Sequence, residues 1–294
     1  MTTYGAIDIG TNSVRLLVGT VNNLDQLVPA ATRLISTRLG ENMWEQPVLT
    51  SAAMNRTVAA LQEFRVIMDH HRVEKVRVVA TSAVRDSHNK QEFIARVKEE
   101  TGLSIEVISG KEEAALGYGG VLWGTAAAKP VLMLDIGGGS TEFLYRDENN
   151  VVVESINIGA VRMTGSPLSG EELEKMLQPV AGKLSTAGDY HLVGVGGTVT
   201  TVVAIAEELV PYDREKVHGY LLSLQQITRV RNMLADLTLA EREMVPGLMR
   251  DRADIIVAGL DILIKVMDVL NKDIIEVSEA DILYGIILEL RKKY

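Results

Sequence analysis

The 294-residue sequence has no cysteine, which excludes disulfides, thiol nucleophiles and cysteine-ligated metals and fits a cytoplasmic protein. Three Phe and two Trp are too few to build a stacking platform for bases. The five histidines do not cluster, since His70 and His71 are adjacent and the others lie far apart. No apolar run approaches the roughly 20 residues that cross a bilayer. Basic residues are outnumbered, 30 Lys and Arg against 39 Asp and Glu, and the net charge of −9 argues against nucleic acid as a partner. The opening Met1-Thr2-Thr3-Tyr4 lacks a basic n-region, so no secretory signal is expected. Gly-x-x-x-x-Gly-Lys-Ser/Thr, Gly-x-Ser-x-Gly and His-Glu-x-x-His are all missing, which withdraws support from P-loop, α/β-hydrolase and zincin mechanisms.

What the sequence does contain is a duplication. Asp8-Ile9-Gly10-Thr11-Asn12-Ser13-Val14-Arg15 returns 127 positions later as Asp135-Ile136-Gly137-Gly138-Gly139-Ser140-Thr141-Glu142. Each copy follows an apolar run and precedes another, the pattern of a β-hairpin with a tight Gly-rich turn. Such a turn offers backbone N–H groups and small hydroxyls to an anion, and an Asp at the strand end can hold Mg²⁺. One Asp-x-Gly turn is an ordinary turn. Repetition of the whole strand–turn–strand context points instead to two related domains serving a phosphate chain and a metal.

Hydrophobic periodicity gives strands near 3–9, 14–21 and 26–38 and a helix of about 20 residues capped by Thr50-Ser51. A strand at 76–80, a turn at 81–86, a helix at 90–101, a strand at 104–108 and a helix at 111–122 complete the first unit. The second repeats the opening with strands at 130–136, 140–147 and 150–158 and a helix near 171–187. Strand 190–195, helix 198–208, helices near 225–235 and 249–270, strand 274–277 and a last helix from Glu279 follow. This β-β-β-α-β-α order, met twice, predicts two α/β domains, each a mixed sheet with flanking helices. The domains are expected at 1–124 and 125–294, with helix 279–294 packed on the first, and the Gly-rich stretch 117–128 as the hinge. Residues 1–110 carry twelve basic and twelve acidic side chains, so an extended polyanion should lie along this domain, past residues such as Arg33, Arg38, Arg72, Lys75, Arg77 and Arg96.

Seven segments together carry a resemblance. They are Asp8–Arg15, Thr81–Arg85, Ile108–Ala114, Leu134–Phe143, Val195–Thr198, Val217–Gly219 and Arg252–Gly259. The chain resembles the Ppx/GppA family of exopolyphosphatases and guanosine pentaphosphate phosphohydrolases, within the actin-like (ribonuclease H-like) ATPase superfamily. The resemblance implies two actin-like domains with the active site in the cleft between them, and makes Glu113 the catalytic base. Phosphoanhydride hydrolysis needs a carboxylate to orient or deprotonate a water in line with the terminal phosphorus. Glu112, beside it, is expected to complement a helix dipole. Arg15 and Arg85 follow tight turns and are the expected phosphate clamps, Arg85 as part of the catalytic set. Asn12, Ser13, Gly137, Gly138, Ser140 and Thr141 are expected to surround the same phosphates. Asp135 is the first choice for Mg²⁺, with Asp8 and Glu142 as the other acids available. The Gly194–Thr198 turn corresponds to a loop that approaches adenosine in actin-like ATPases, and reads equally well as a plain strand-to-helix turn. His218 either lines the cleft or makes structural hydrogen bonds.

The sequence also departs from the family. Val277–Gly285 lacks the Arg that relatives carry after Val-Ser, and a sequence ending at Tyr294 is expected to lack the extra helical domain of long members. The expected activity is Mg²⁺-dependent release of terminal phosphate from inorganic polyphosphate. Hydrolysis of guanosine pentaphosphate to tetraphosphate is the alternative, and a non-catalytic polyphosphate or alarmone sensor the rival of another class. No membrane is expected as a partner, and a homodimer is left open.

Overall fold

A computed structural model describes residues 2–43, 46–125 and 129–293. The chain divides into two compact units, Met1–Gly120 with Ile282–Tyr294, and Val121–Asp281. The expected boundary lay four residues later, and the 117–128 stretch read as a hinge lies partly outside the described residues.

In the first unit, β1 (Thr3–Ile9), β2 (Ser13–Val21) and β3 (Leu27–Ser36) form an antiparallel meander. α1 (Ser51–His70) follows, begun by the Thr50 hydroxyl, which accepts the Ala53 N–H at 3.1 Å. β4 (Lys75–Ala80), α2 (Ser82–Asp86), α3 (Lys90–Thr101), β5 (Ile105–Val107) and α4 (Gly110–Gly124) come next. The sheet order is β3-β2-β1-β4-β5, with β1, β4 and β5 parallel. Alternation along β1 and β2 sends Ile7, Ile9, Val14 and Leu16 into a core with Phe64 of α1 and Phe93 of α3. Asp8 and Arg15 therefore project from the opposite face of the sheet.

The second unit opens with the same meander, β6 (Val131–Ile136), β7 (Thr141–Arg146) and β8 (Val151–Ile156). α5 (Ala160–Gly165), α6 (Gly170–Leu184), β9 (His191–Val195), α7 (Gly197–Ala206), α8 (Arg214–Val217) and β10 (Tyr220–Ser223) follow. α9 (Leu224–Ala235), α10 (Leu239–Arg242), α11 (Ile256–Val269) and β11 (Ile274–Val277) complete it. The sheet order is β10-β11-β9-β6-β7-β8, with β6, β9 and β11 parallel. Leu134, Ile136, Phe143 and Tyr145 join Leu260, Leu263 and Met267 of α11 in the core, so Asp135 and Glu142 lie on the other face. The last helix, α12 (Ile282–Lys292), packs on β1, β2 and β4 of the first unit. Each unit is thus a mixed sheet with flanking helices.

Several expectations about local structure need correction. The stretch 81–86, read as a turn, is the short helix α2. The helix expected over 249–270 begins at Ile256, preceded by a 3₁₀ turn at Arg250–Arg252. The final helix starts at Ile282 rather than Glu279, because the Ser278 hydroxyl accepts the Ala280 N–H at 3.1 Å and holds a local turn. Among the described residues, no helix is long and apolar enough to cross a membrane.

Candidate active site

In each sheet the parallel strands run in one direction, and five of the seven segments that carried the resemblance follow their carboxyl ends directly; Val217–Gly219 reaches the same end through Gly219 N–H to Val277 O at 2.8 Å, and Arg252–Gly259 through the Arg252 guanidinium against Gly197. That is where α/β sheets place ligands. In the first unit these ends are stitched together: Thr81 N–H donates to Ile9 O at 3.2 Å and Ile108 N–H to Ala80 O at 3.1 Å. The Thr11 and Ser82 hydroxyls meet at 2.7 Å. One and a half turns of α2 then deliver Arg85, whose Nη1 donates to Glu113 Oε2 at 3.0 Å and to Ile108 O at 3.2 Å. Glu113 is 13% exposed and Arg85 21%, so the pair is partly shielded yet open to a ligand.

The neighbouring acid has a separate task. Ser109 and Glu112 form a capping box on α4: Ser109 N–H donates to Glu112 Oε2 at 2.8 Å, and Ser109 Oγ accepts the Glu112 N–H at 3.2 Å. These bonds to the Ser109 N–H and hydroxyl hold the Glu112 carboxyl below its usual range. Glu112 is committed to the helix start, one residue before the Glu113–Arg85 pair.

The two hairpins match in detail. Asp8 faces Arg15 across β1–β2, and Asp135 faces Glu142 across β6–β7. Gly10 N–H donates to Ser13 O at 3.0 Å, and Gly137 N–H donates to Ser140 O at 3.0 Å. What differs is charge. Arg15 donates from Nε and Nη2 to Asp8 Oδ2 at 3.1 and 2.7 Å, so Asp8, one of the acids expected to be available for metal, is engaged by an expected phosphate clamp. In the second unit two acids face each other. Glu142 is 1% exposed and its Oε1 accepts from Ser155 Oγ at 2.8 Å. Asp135 borders the Gly196 turn, where φ is +84° and an added Cβ would lie 2.6 Å from Asp135 Oδ1.

Both turns are also held from behind by the segment after the third strand. Arg38 and Gly40 N–H groups donate to Asn12 O and Thr11 O at 2.7 and 2.9 Å. In the second unit Ala160 N–H takes Gly137 O at 2.9 Å, and Val161 and Arg162 N–H groups take Gly138 O at 2.9 and 3.0 Å. Arg38 adopts φ 52°, a left-handed conformation uncommon outside glycine. Sequence reading missed these clamps, although their common position after β3 and β8 was visible in the repeat.

Of the remaining expected residues, Asn12 and Ser13 lie on the first turn, with Asn12 Nδ2 donating to Ser13 Oγ at 3.3 Å. Gly137, Gly138 and Ser140 lie on the second. Thr141 is buried, and its hydroxyl donates to Ile158 O at 2.6 Å. The Arg252 guanidinium packs directly against Gly197 in the Gly194–Thr198 turn. His218 accepts the Glu279 N–H on Nδ1 at 3.2 Å while Nε2 lies 3.1 Å from Gly124 O, a structural arrangement that occupies both nitrogens. The surface charge expected to follow a polyanion is largely paired: Arg33 with Glu63, Arg77 with Glu106 and Glu289, and Arg96 with Glu100.

The sequence matches the Ppx/GppA phosphatase family over residues 21–294. It is 35% identical to the bifunctional 3-dehydroquinate synthase/phosphatase of Fusobacterium nucleatum subsp. nucleatum, spanning 97% of this chain but only 46% of that protein. It is 32% identical to exopolyphosphatase 2 of Mycobacterium tuberculosis over 99% of both chains. The crystal structure of an exopolyphosphatase from Cytophaga hutchinsonii superimposes with a TM-score of 0.90 at 30% identity, covering 99% of this chain and 98% of that one. A two-domain actin-like fold of this kind, matched nearly end to end, settles its kinship: the chain belongs to the Ppx/GppA phosphatase family.

Proposed function

We propose that the protein is an exopolyphosphatase, hydrolysing the terminal phosphoanhydride of inorganic polyphosphate. The observation that carries this reading is the Arg85–Glu113 contact of 3.0 Å, a carboxylate and a guanidinium side by side at the carboxyl ends of parallel strands. The full-length relationship to an exopolyphosphatase supports the substrate. Glu113 accepts a proton as water oxygen attacks the terminal phosphorus and the P–O–P bridge breaks. Arg85 binds the oxygens of the transferred group, where charge accumulates. Backbone amides of the Gly10–Ser13 turn, with the Asn12 and Ser13 side chains, are the phosphate-binding groups of the first unit, and those of the Gly137–Ser140 turn, with Ser140, are their counterparts in the second. A binding-only sensor would have no need of the carboxylate beside Arg85.

The donor set fits Mg²⁺ in the second unit. Among the described residues no three His, Cys, Asp or Glu side chains converge as a metal cage. Mg²⁺ needs only one or two carboxylates with water and phosphate oxygen. Asp135 and Glu142 stand directly opposite each other in an antiparallel pair and supply the two carboxyl groups that such an ion takes. Asp135 would hold the ion, with Glu142 behind it, and the bound ion would neutralise phosphate oxygens on the substrate. Arg15 acts in part through Asp8, keeping that acid paired.

Phosphate release by the full chain from polyphosphate, guanosine pentaphosphate and ATP tests the reading. Polyphosphate should give the highest kcat/KM. Faster release from guanosine pentaphosphate would replace the substrate while keeping the chemistry, and no release from any of them would reject it.

A further inference from the structure

The carbonyls of the second turn are all directed to one side. Ala160 N–H takes Gly137 O, the Val161 and Arg162 N–H groups take Gly138 O, and the Arg162 side chain takes Gly139 O through Nε at 2.8 Å. In a planar trans peptide the carbonyl of one residue and the N–H of the next point in opposite directions. Fixing the oxygens of Gly137, Gly138 and Gly139 toward α5 therefore aims the N–H groups of Gly138, Gly139 and Ser140 the other way. Three successive amides directed away from α5 form an anion-binding nest. Gly159 lets the two segments approach: a Cβ there would lie 2.5 Å from Gly138 C and Gly139 N.

The first unit confirms that this is a built device. There Gly40 and Arg38 N–H groups hold Thr11 O and Asn12 O from behind, which aims the Asn12 and Ser13 amides outward. Both holds are made by backbone. In the second unit the last one is made by a side chain, so it can be removed without changing the backbone.

We propose that Arg162 is a positioning residue for phosphate binding: its Nε holds Gly139 O and thereby points the Ser140 N–H at a substrate phosphate. The proposal rests on the phosphate-binding reading of the Gly137–Ser140 turn. Without the Nε bond the Gly139–Ser140 peptide is free to rotate, and a charge-assisted hydrogen bond to the ligand is lost. Calorimetric titration of the full chain with inorganic tripolyphosphate in Mg²⁺-free buffer, where the ligand is bound without turnover, should show binding about tenfold weaker in Arg162→Met, the scale of one hydrogen bond to a charged group. Arg162→Lys keeps the charge but places one methylene where Nε stood, and should stay as weak as the Met variant. Unchanged affinity in Arg162→Met, or full recovery in Arg162→Lys, overturns the positioning role. A second measurement needs no variant and covers the case in which Arg162→Met does not fold. In the wild type, the amide resonances of Gly138, Gly139 and Ser140 should shift on adding tripolyphosphate, and three unmoved resonances in a protein that binds it overturn the proposal. A wild type that binds no tripolyphosphate fails the function on which this inference rests, whereas binding that is unweakened in Arg162→Met fails the positioning role alone.

Discussion

Replacing Glu113 by Gln keeps the side chain's length and one oxygen while removing its charge and its capacity to take a proton. Two costs follow, and they differ in size. Arg85 Nη1 now meets a neutral acceptor in place of a carboxylate at 3.0 Å but keeps Ile108 O at 3.2 Å, so folding stability falls by about 1 kcal/mol. Loss of a general base lowers turnover about 10²–10⁴-fold, equivalent to about 3–5 kcal/mol of transition-state stabilisation. The chemical effect is therefore well above anything the stability change produces at a temperature where the variant is folded. Steady-state phosphate release from polyphosphate separates them: kcat should fall by that factor and KM should move by less than about threefold, since the base contributes to the transition state and not to ground-state binding. Glu112→Gln is the internal control. A Gln can still cap the Ser109 N–H, as Gln226 does that of Ser223, so activity should stay near the wild-type value while α4 loses only the negative charge at its N-terminus. A Glu113→Gln enzyme within about threefold of wild-type kcat, or a loss carried by KM alone, would refute the assignment of the base.

Two further expectations follow from the same structure. Asp135→Asn should shift the Mg²⁺ activation curve to higher concentration or abolish activity, because a neutral amide is a poor ligand for a hard dication; superimposable curves would move the metal away from this residue. Glu106, hydrogen-bonded and attracted by Arg77 against an opposing effect of burial, has a carboxyl held below its usual range. A depressed folded-state value stabilises the protein above the ordinary carboxylate pKa of about 4.3, and that contribution is lost as pH falls below it. Denaturation midpoints of wild type and Glu106→Gln should thus differ at pH 7 and converge at acid pH; a gap that persists would contradict the ion-pair account.

The elements that set the site were legible where one local rule decided them. The duplicated hairpins were readable because Asp, Ile, Gly and Ser recur between apolar runs, and α1 because Thr50 caps a 20-residue amphipathic stretch. Short elements were not. The five residues of α2 and six of α5 are too few for a periodic pattern, and only packing on the turns makes them helical. Glu113 was reached through family resemblance, since two acids at a helix start look alike in sequence, and its contact with Arg85, 28 positions away, emerges only in the fold. Only the capping box separates Glu112 from Glu113. Long-range pairing was equally hidden: Arg77 looks like a free surface cation until the fold brings Glu289, 212 positions away, to 2.6 Å.

The central claim is that water attacks the terminal phosphorus. Tripolyphosphate hydrolysed by the enzyme in ¹⁸O-enriched water tests it, with both products analysed by mass spectrometry. The account predicts one solvent oxygen in the released orthophosphate and none in the pyrophosphate. Label in pyrophosphate would place the attack on an inner phosphorus, and unlabelled products would mean that water is not the acceptor; either contradicts the mechanism.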